Sequence, residues 1–235
     1  MSMISRYLAY VKQIVIIFVW GIKVMQRDRV EAILHLLRAA YPGARSRLNF
    51  RNPFELLVAA ILSAQTTDDQ VNKVTGELFR RYPTPEVLAA ADPEEVAACI
   101  KSLGLYRTKA AHLVAACRTL VREYGGRVPD KLEDLLRLPG VGRKVANVVL
   151  SNAFGRDVIA VDTHVFRVAN RLGLARAGDV RETERQLMAA LPPGSRGEAH
   201  HLLIYHGREV CRARNPRCRD CTLRSYCREA GGLPE

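Results

Sequence analysis

Apolar residues recur along most of this chain at spacings of three and four. Ile33, Leu34 and Leu37 form one such stripe, and Leu56, Leu57, Ala60 and Ile61 a second. Val141, Val145, Val148, Val149 and Ala153 form a third, each marking one face of an amphipathic helix. Strict alternation is scarce, and Val158–Val161 is the one short β-like run. A second signal agrees: a capping residue followed three positions later by an acid or amide. It occurs at Asp28/Glu31, Thr67/Gln70, Asp92/Glu95, Asp130/Glu133, Asp179/Glu182 and Ser195/Glu198. The cap oxygen accepts from an orphan helix N–H, and the later side chain reaches back to the cap's own N–H. Thr84-Pro85 and Asp92-Pro93 add proline at the first helical position, where its missing N–H costs nothing. The pattern predicts an all-α fold.

Three stretches break the rhythm. Ile14–Ile22 is a nine-residue apolar run between Lys12 and Lys23, about half of the roughly 20 residues a membrane helix needs. Residues 1–24 read as a peripheral extension of unclear role, and Met25 opens the first well-formed pattern. Ser63-Ala64-Gln65-Thr66-Thr67 interrupts an apolar helix; a helix end followed by the Thr67 cap explains it, and leaves Gln65 open as a contact residue. Gly104-Leu105-Tyr106-Arg107-Thr108-Lys109 places an apolar pair among cations. Docking of that leucine into the core is the commoner arrangement; a wedge into stacked bases is the other.

Composition narrows the class. With 48% hydrophobic and 26% charged residues the chain is globular rather than disordered. The net charge of +12 favours a polyanionic partner, most simply nucleic acid. Cys99 and Cys117 stand singly in apolar runs, as small buried hydrophobes do. The other four cysteines crowd the end of the chain, in the manner of a metal or cluster site in a reducing compartment.

The chemistry concentrates between Leu138 and His164. Lys131–Leu138 carries a stripe of Leu132, Leu135, Leu136 and Leu138; Pro139 ends that helix and Gly140-Val141-Gly142 turns the chain. The following helix begins with Arg143 and Lys144, and Lys144, Asn147 and Ser151 fall on one polar stripe of it. Two amphipathic helices joined by LPGVG are a strong signature of DNA backbone binding, because glycine lets phosphate oxygens approach main-chain N–H groups at a helix N-terminus. Lys144 is then either a phosphate contact or a nucleophile. A free lysine, with a pKa of about 10.4, is roughly one part in a thousand neutral at pH 7.4. The helix N-terminus and the adjacent Arg143 both favour the neutral, nucleophilic amine. Asp162 follows 18 residues after that lysine, and Asp157 is a second carboxylate in the same stretch. His164, His200 and His201 read as structural.

Cys211, Cys218, Cys221 and Cys227 are spaced by six, two and five residues. One C-x-x-C knuckle is fewer than structural zinc usually uses, and the spacing differs from the ferredoxin run, so this chemistry alone leaves zinc and iron–sulfur both open. Seven arginines between Arg208 and Arg228, against Glu209 and Asp220, make the segment strongly cationic.

Leu138–His164, together with Asn52-Pro53-Phe54-Glu55-Leu56-Leu57, Leu62-Ser63-Ala64-Gln65 and Gly104-Leu105-Tyr106, resembles the endonuclease III family of bifunctional DNA glycosylases, within the helix–hairpin–helix superfamily. The likeness runs from about Met25 to Cys227. The loop ahead of Asp162 has its glycine, Gly155, but lacks the proline usual in the wider superfamily. The resemblance implies two helical domains flanking a cleft. A six-helix barrel, 46–156, would carry the hairpin, and residues 25–45 with 157–235 would form an iron–sulfur domain. It implies Lys144 as the Schiff-base lysine facing the catalytic Asp162 across the cleft, and a structural [4Fe–4S] cluster on Cys211, Cys218, Cys221 and Cys227. Gln65 would fill the space vacated by an extruded base and Leu105 would wedge the opposite strand. Gly140, Gly142 and Arg143 would hold the DNA backbone. The expected partner is double-stranded DNA carrying damaged pyrimidines or abasic sites. The expected protein is a cytoplasmic, nucleoid-associated monomer without a membrane partner. An adenine or pyrimidine–guanine mismatch glycosylase is the nearest alternative, and a non-catalytic DNA-binding module with a structural metal the most distant.

Overall fold

The computed structural model describes residues 27–230; the apolar run Ile14–Ile22 lies outside them. Every regular element among the described residues is helical. Helix α1 covers 27–40, followed by α2 (Pro53–Leu62), α3 (Asp68–Arg81), α4 (Pro85–Ala90), α5 (Pro93–Cys99) and α6 (Tyr106–Tyr124). Then come α7 (Leu132–Leu135), α8 (Arg143–Phe154), α9 (Thr163–Leu172), α10 (Val180–Ala190) and α11 (Arg196–Glu209). Two short 3-10 turns, Cys218–Asp220 and Arg224–Tyr226, lie in the cysteine-rich segment. Among the described residues no helix is long and apolar enough to cross a membrane.

The chain divides into two compact units. One is Arg45–Asp162; the other combines the described parts of Met1–Ala44 and Thr163–Glu235. In the first, α2 is buried from Phe54 to Leu62, so it is apolar on all sides and forms the centre on which α3, α6 and α8 pack. Full burial of a leucine contributes about 2 kcal/mol, and Leu56, Leu57 and Leu62 are each at most 1% exposed. Asn52 starts α2 by accepting from the Glu55 N–H at 2.9 Å, while Glu55, itself buried, accepts from the Arg51 N–H at 2.7 Å. In the second unit the amphipathic α9 packs on α10 and α11.

Most caps form as the residue pattern predicts. Thr67, Thr84, Asp92 and Asp179 each accept from a backbone N–H of the helix they start. Three do not. Asp28 is already helical. Lys131, not Asp130, precedes α7, and Asp130 pairs with Arg156 instead. Ser195 donates to the Pro192 carbonyl, while Glu198 takes a bidentate bond from Arg38. A long-range partner outcompetes the local cap at two of these positions. The β-like run does not become a strand: residues 155–162 have no regular secondary structure, with Ile159, Ala160 and Val161 buried. That segment, expected with the cluster domain, packs with the Arg45–Asp162 unit. Ala160 belongs to its core and Val158 rests against it. Helix α7 is a single turn, and Leu136 is 40% exposed rather than part of a buried stripe.

Candidate functional site

The turn from α7 to α8 has two unlike glycines. Gly140 has φ +78°, and a Cβ there would sit 2.8 Å from the His112 Cβ, so both conformation and space demand glycine. Gly142 is the residue before α8, has φ −91°, and faces open space. Having no side chain, it supplies no cap bond to the first N–H groups of α8. Gly140→Ala must shift the hairpin, with a cost of about 1–2 kcal/mol from the left-handed backbone alone. On the expectation that the hairpin holds a DNA backbone, duplex affinity, read by fluorescence anisotropy, should fall about tenfold, the loss of one charge-assisted hydrogen bond. Gly142→Ala should melt within a degree or two of the parent; an equal drop in melting temperature for both variants would mean that the left-handed backbone and tight space at Gly140 carry no cost.

Arg143 and Lys144 occupy the first turn of α8 and are both exposed. Among the described residues no carboxylate pairs with the Lys144 ammonium. Asn147, one turn on, departs from the expected polar stripe. It is 2% exposed, and its Nδ2 donates to the Ile159 carbonyl at 3.0 Å. This bond ties the irregular segment 155–162 to the helix that carries Lys144. Asp162 is three residues past the tether, at most about 11 Å of chain, and is half-buried. Periodicity assigns Asn147 to the outer face; a short amide placed between the buried Ala146 and Val148 is the signal that it serves a backbone partner.

Gln65 and Leu105 share an unusual conformation. Their φ values are +54° and +58°, a region that costs a non-glycine residue about 1–2 kcal/mol. Both are exposed, and Leu105 is 62% exposed directly before α6, so it is not docked into the core. Strained, exposed residues of this kind concentrate where a protein grips a ligand.

The four clustered cysteines line one cavity of about 160 Å³, with His206, Arg171 and Leu172 also in its wall. Among the described residues no three His, Cys, Asp or Glu side chains are close enough to hold a single metal ion. The cavity is already furnished with donors for sulfur. Arg171 Nη1 is 3.6 Å from the Cys211 Sγ, and His206 Nε2 is 3.7 Å from the Cys221 Sγ. Burial pushes His206 down to about 4, so its imidazole is neutral near pH 7. Its other nitrogen meets the Tyr41 hydroxyl at 3.2 Å. Arg167 braces the approach to the loop by donating to the carbonyls of Gly207 and Cys211. Arg212, Arg214, Arg217, Arg219, Arg224 and Arg228 are exposed around it. His164 and His200 sit in packing: His164 lies against Gly207, and His200 stacks edge-on with His201 at 4.9 Å.

Known proteins resemble this chain over most of its length. The model of one family, described as "HhH-GPD superfamily base excision DNA repair protein", matches residues 58–193. An endonuclease III from Synechocystis sp. is 48% identical over 206 residues, covering 87% of this chain and 94% of the relative. A solved structure of a trapped endonuclease III–DNA covalent intermediate, with an estranged adenine, superimposes with a TM-score of 0.83 at 46% identity. It covers 87% of this chain and 97% of that one. A thermostable thymine-DNA glycosylase gives a TM-score of 0.79 at 25% identity, with 88% and 98% coverage.

Proposed function

The chain belongs to the endonuclease III family of the HhH-GPD superfamily, and on that footing we propose that Lys144 and Asp162 carry out its chemistry. The protein is a DNA glycosylase and abasic-site lyase acting on oxidised pyrimidines. The observation that carries the residue assignment is the first turn of α8. An exposed lysine, paired with no carboxylate among the described residues, stands in the first turn of the helix, and Asn147 of that helix tethers the segment ending in Asp162.

The reaction follows from what these groups can do. Breaking the N-glycosidic bond leaves positive charge on the sugar, which the Asp162 carboxylate stabilises. The neutral Lys144 amine adds to C1′, and the freed base leaves with a proton. Ring opening gives an imine between Lys144 and C1′. Loss of a C2′ proton then expels the 3′ phosphate by β-elimination, and water hydrolyses the imine to release Lys144. Capture of a relative as a covalent DNA intermediate supports this route. Base extrusion costs a few kcal/mol, which Gln65 and Leu105 offset by filling the vacated space and wedging the opposite strand. Gly140, Gly142 and Arg143 hold the phosphates.

Cys211, Cys218, Cys221 and Cys227 would hold a [4Fe–4S] cluster, whose contribution is to cross-link the arginine-rich loop. The shared cavity and its N–H donors fit four thiolates. Purified protein should contain iron and acid-labile sulfide in equal amounts; zinc alone would remove the cluster from the account. A cytoplasmic, nucleoid-associated location and a monomeric state complete the reading.

The direct assay is a duplex with a single thymine glycol. The expected products are the free base and a strand ending in the unsaturated aldehyde of β-elimination. Preference for a thymine–guanine mismatch over thymine glycol would instead favour the mismatch glycosylases.

A further inference from the structure

Lys109 lies in register with the buried face of α6, four residues before Leu113 and eight before Cys117, and is itself 5% exposed. Among the described residues no carboxylate pairs with it, and its Nζ has one acceptor, the Thr66 Oγ1 at 2.6 Å. Burial lowers its pKa below the usual lysine value. A cation without a counter-charge in an apolar stripe works against stability, and an apolar side chain of similar length would pack there more favourably.

The two ends of this residue hold the two strained loops. Its backbone N–H donates to the Leu105 carbonyl at 3.0 Å, closing the first turn of α6. Its side chain reaches 43 residues back to Thr66, beside Gln65. The Thr66 hydroxyl passes the bond on to the Ala64 carbonyl at 3.3 Å, and the Thr66 N–H donates to Ser63 at 3.2 Å. The turn holding Gln65 at positive φ is thus tied at Thr66, and that tie leads to the helix start holding Leu105 at positive φ.

We propose that Lys109 is a positioning residue that joins the Gln65 turn to the first turn of α6, so that Gln65 and Leu105 enter the duplex as one preset unit. This rests on the reading of those two residues as DNA-inserting. A flexible pair would have to be ordered at the moment of extrusion; a tied pair has been ordered by folding.

The test compares single-turnover excision of thymine glycol from a fully paired duplex and from a bubble in which the lesion is already unpaired. In Lys109→Met the ratio of paired to unpaired rates should fall about tenfold, a small misplacement acting on extrusion alone. The variant should melt no lower than the parent. Thr66→Val should reproduce the loss and Thr66→Ser should restore the ratio, so the hydroxyl rather than general packing is read. A 2-aminopurine beside the lesion should lose its unstacking signal in both damaging variants. Equal slowing on both substrates, or none, overturns the proposal. Gln65→Ala and Leu105→Ala separate the layers. If they abolish the 2-aminopurine signal while Lys109→Met leaves it intact, the tie is wrong and the insertion stands. If they too leave it intact, the insertion reading fails and takes the tie with it.

Discussion

Replacing Lys144 with alanine is expected to abolish strand cleavage at abasic sites, by at least about a thousandfold, while the protein folds normally. The size follows from the role: without the amine there is no imine, and β-elimination loses the electron sink that makes C2′ acidic. Normal folding follows from place. Lys144 is exposed, pairs with no carboxylate among the described residues, and sits where alanine is a good helix former. Such surface changes usually move stability by less than about 0.5 kcal/mol. Gel analysis of an abasic duplex, beside a thermal melt, reads both. Cleavage within tenfold of the parent would give the nucleophile role to another amine.

Asp162→Asn should be nearly as severe on a different step. The amide keeps the shape of the carboxylate and loses its charge, so release of thymine glycol should slow by about a hundredfold to ten-thousandfold. Duplex affinity should hold or rise, because an anion beside phosphates has been neutralised. Single-turnover base release and anisotropy on the same protein separate the effects. A parallel fall in affinity would make Asp162 a binding residue.

Much of this molecule was legible as residues. Helix positions followed apolar spacing, and four caps formed where the rule put them, because both signals are local. Lys144's place was legible for the same reason: proline and two glycines can end one helix and start the next in few ways. What escaped was long-range. Asn147 reads as an outer-face residue until Ile159 offers a carbonyl from twelve residues on. The run Val158–Val161 looks like a strand, but it joins no ladder, and Ile159 gives its carbonyl to a side chain of α8. Gln65 and Leu105 carry no sign of positive φ, which glycine or asparagine would announce. Their backbones are set by neighbours, Thr66 and Lys109 among them, whose meeting spans 43 residues. Lys109 itself left a trace, a cation in an apolar stripe. The four cysteines point to a metal or cluster site, and only family likeness favours iron–sulfur over zinc.

The central claim is that the Lys144 amine becomes covalently joined to the sugar. Borohydride reduces an imine to a stable amine, so it freezes that bond if it forms. Incubated with abasic or thymine-glycol duplex and borohydride, the parent protein should yield a complex that survives denaturing electrophoresis, and Lys144→Ala should yield none. A complex of equal yield from Lys144→Ala would contradict the account.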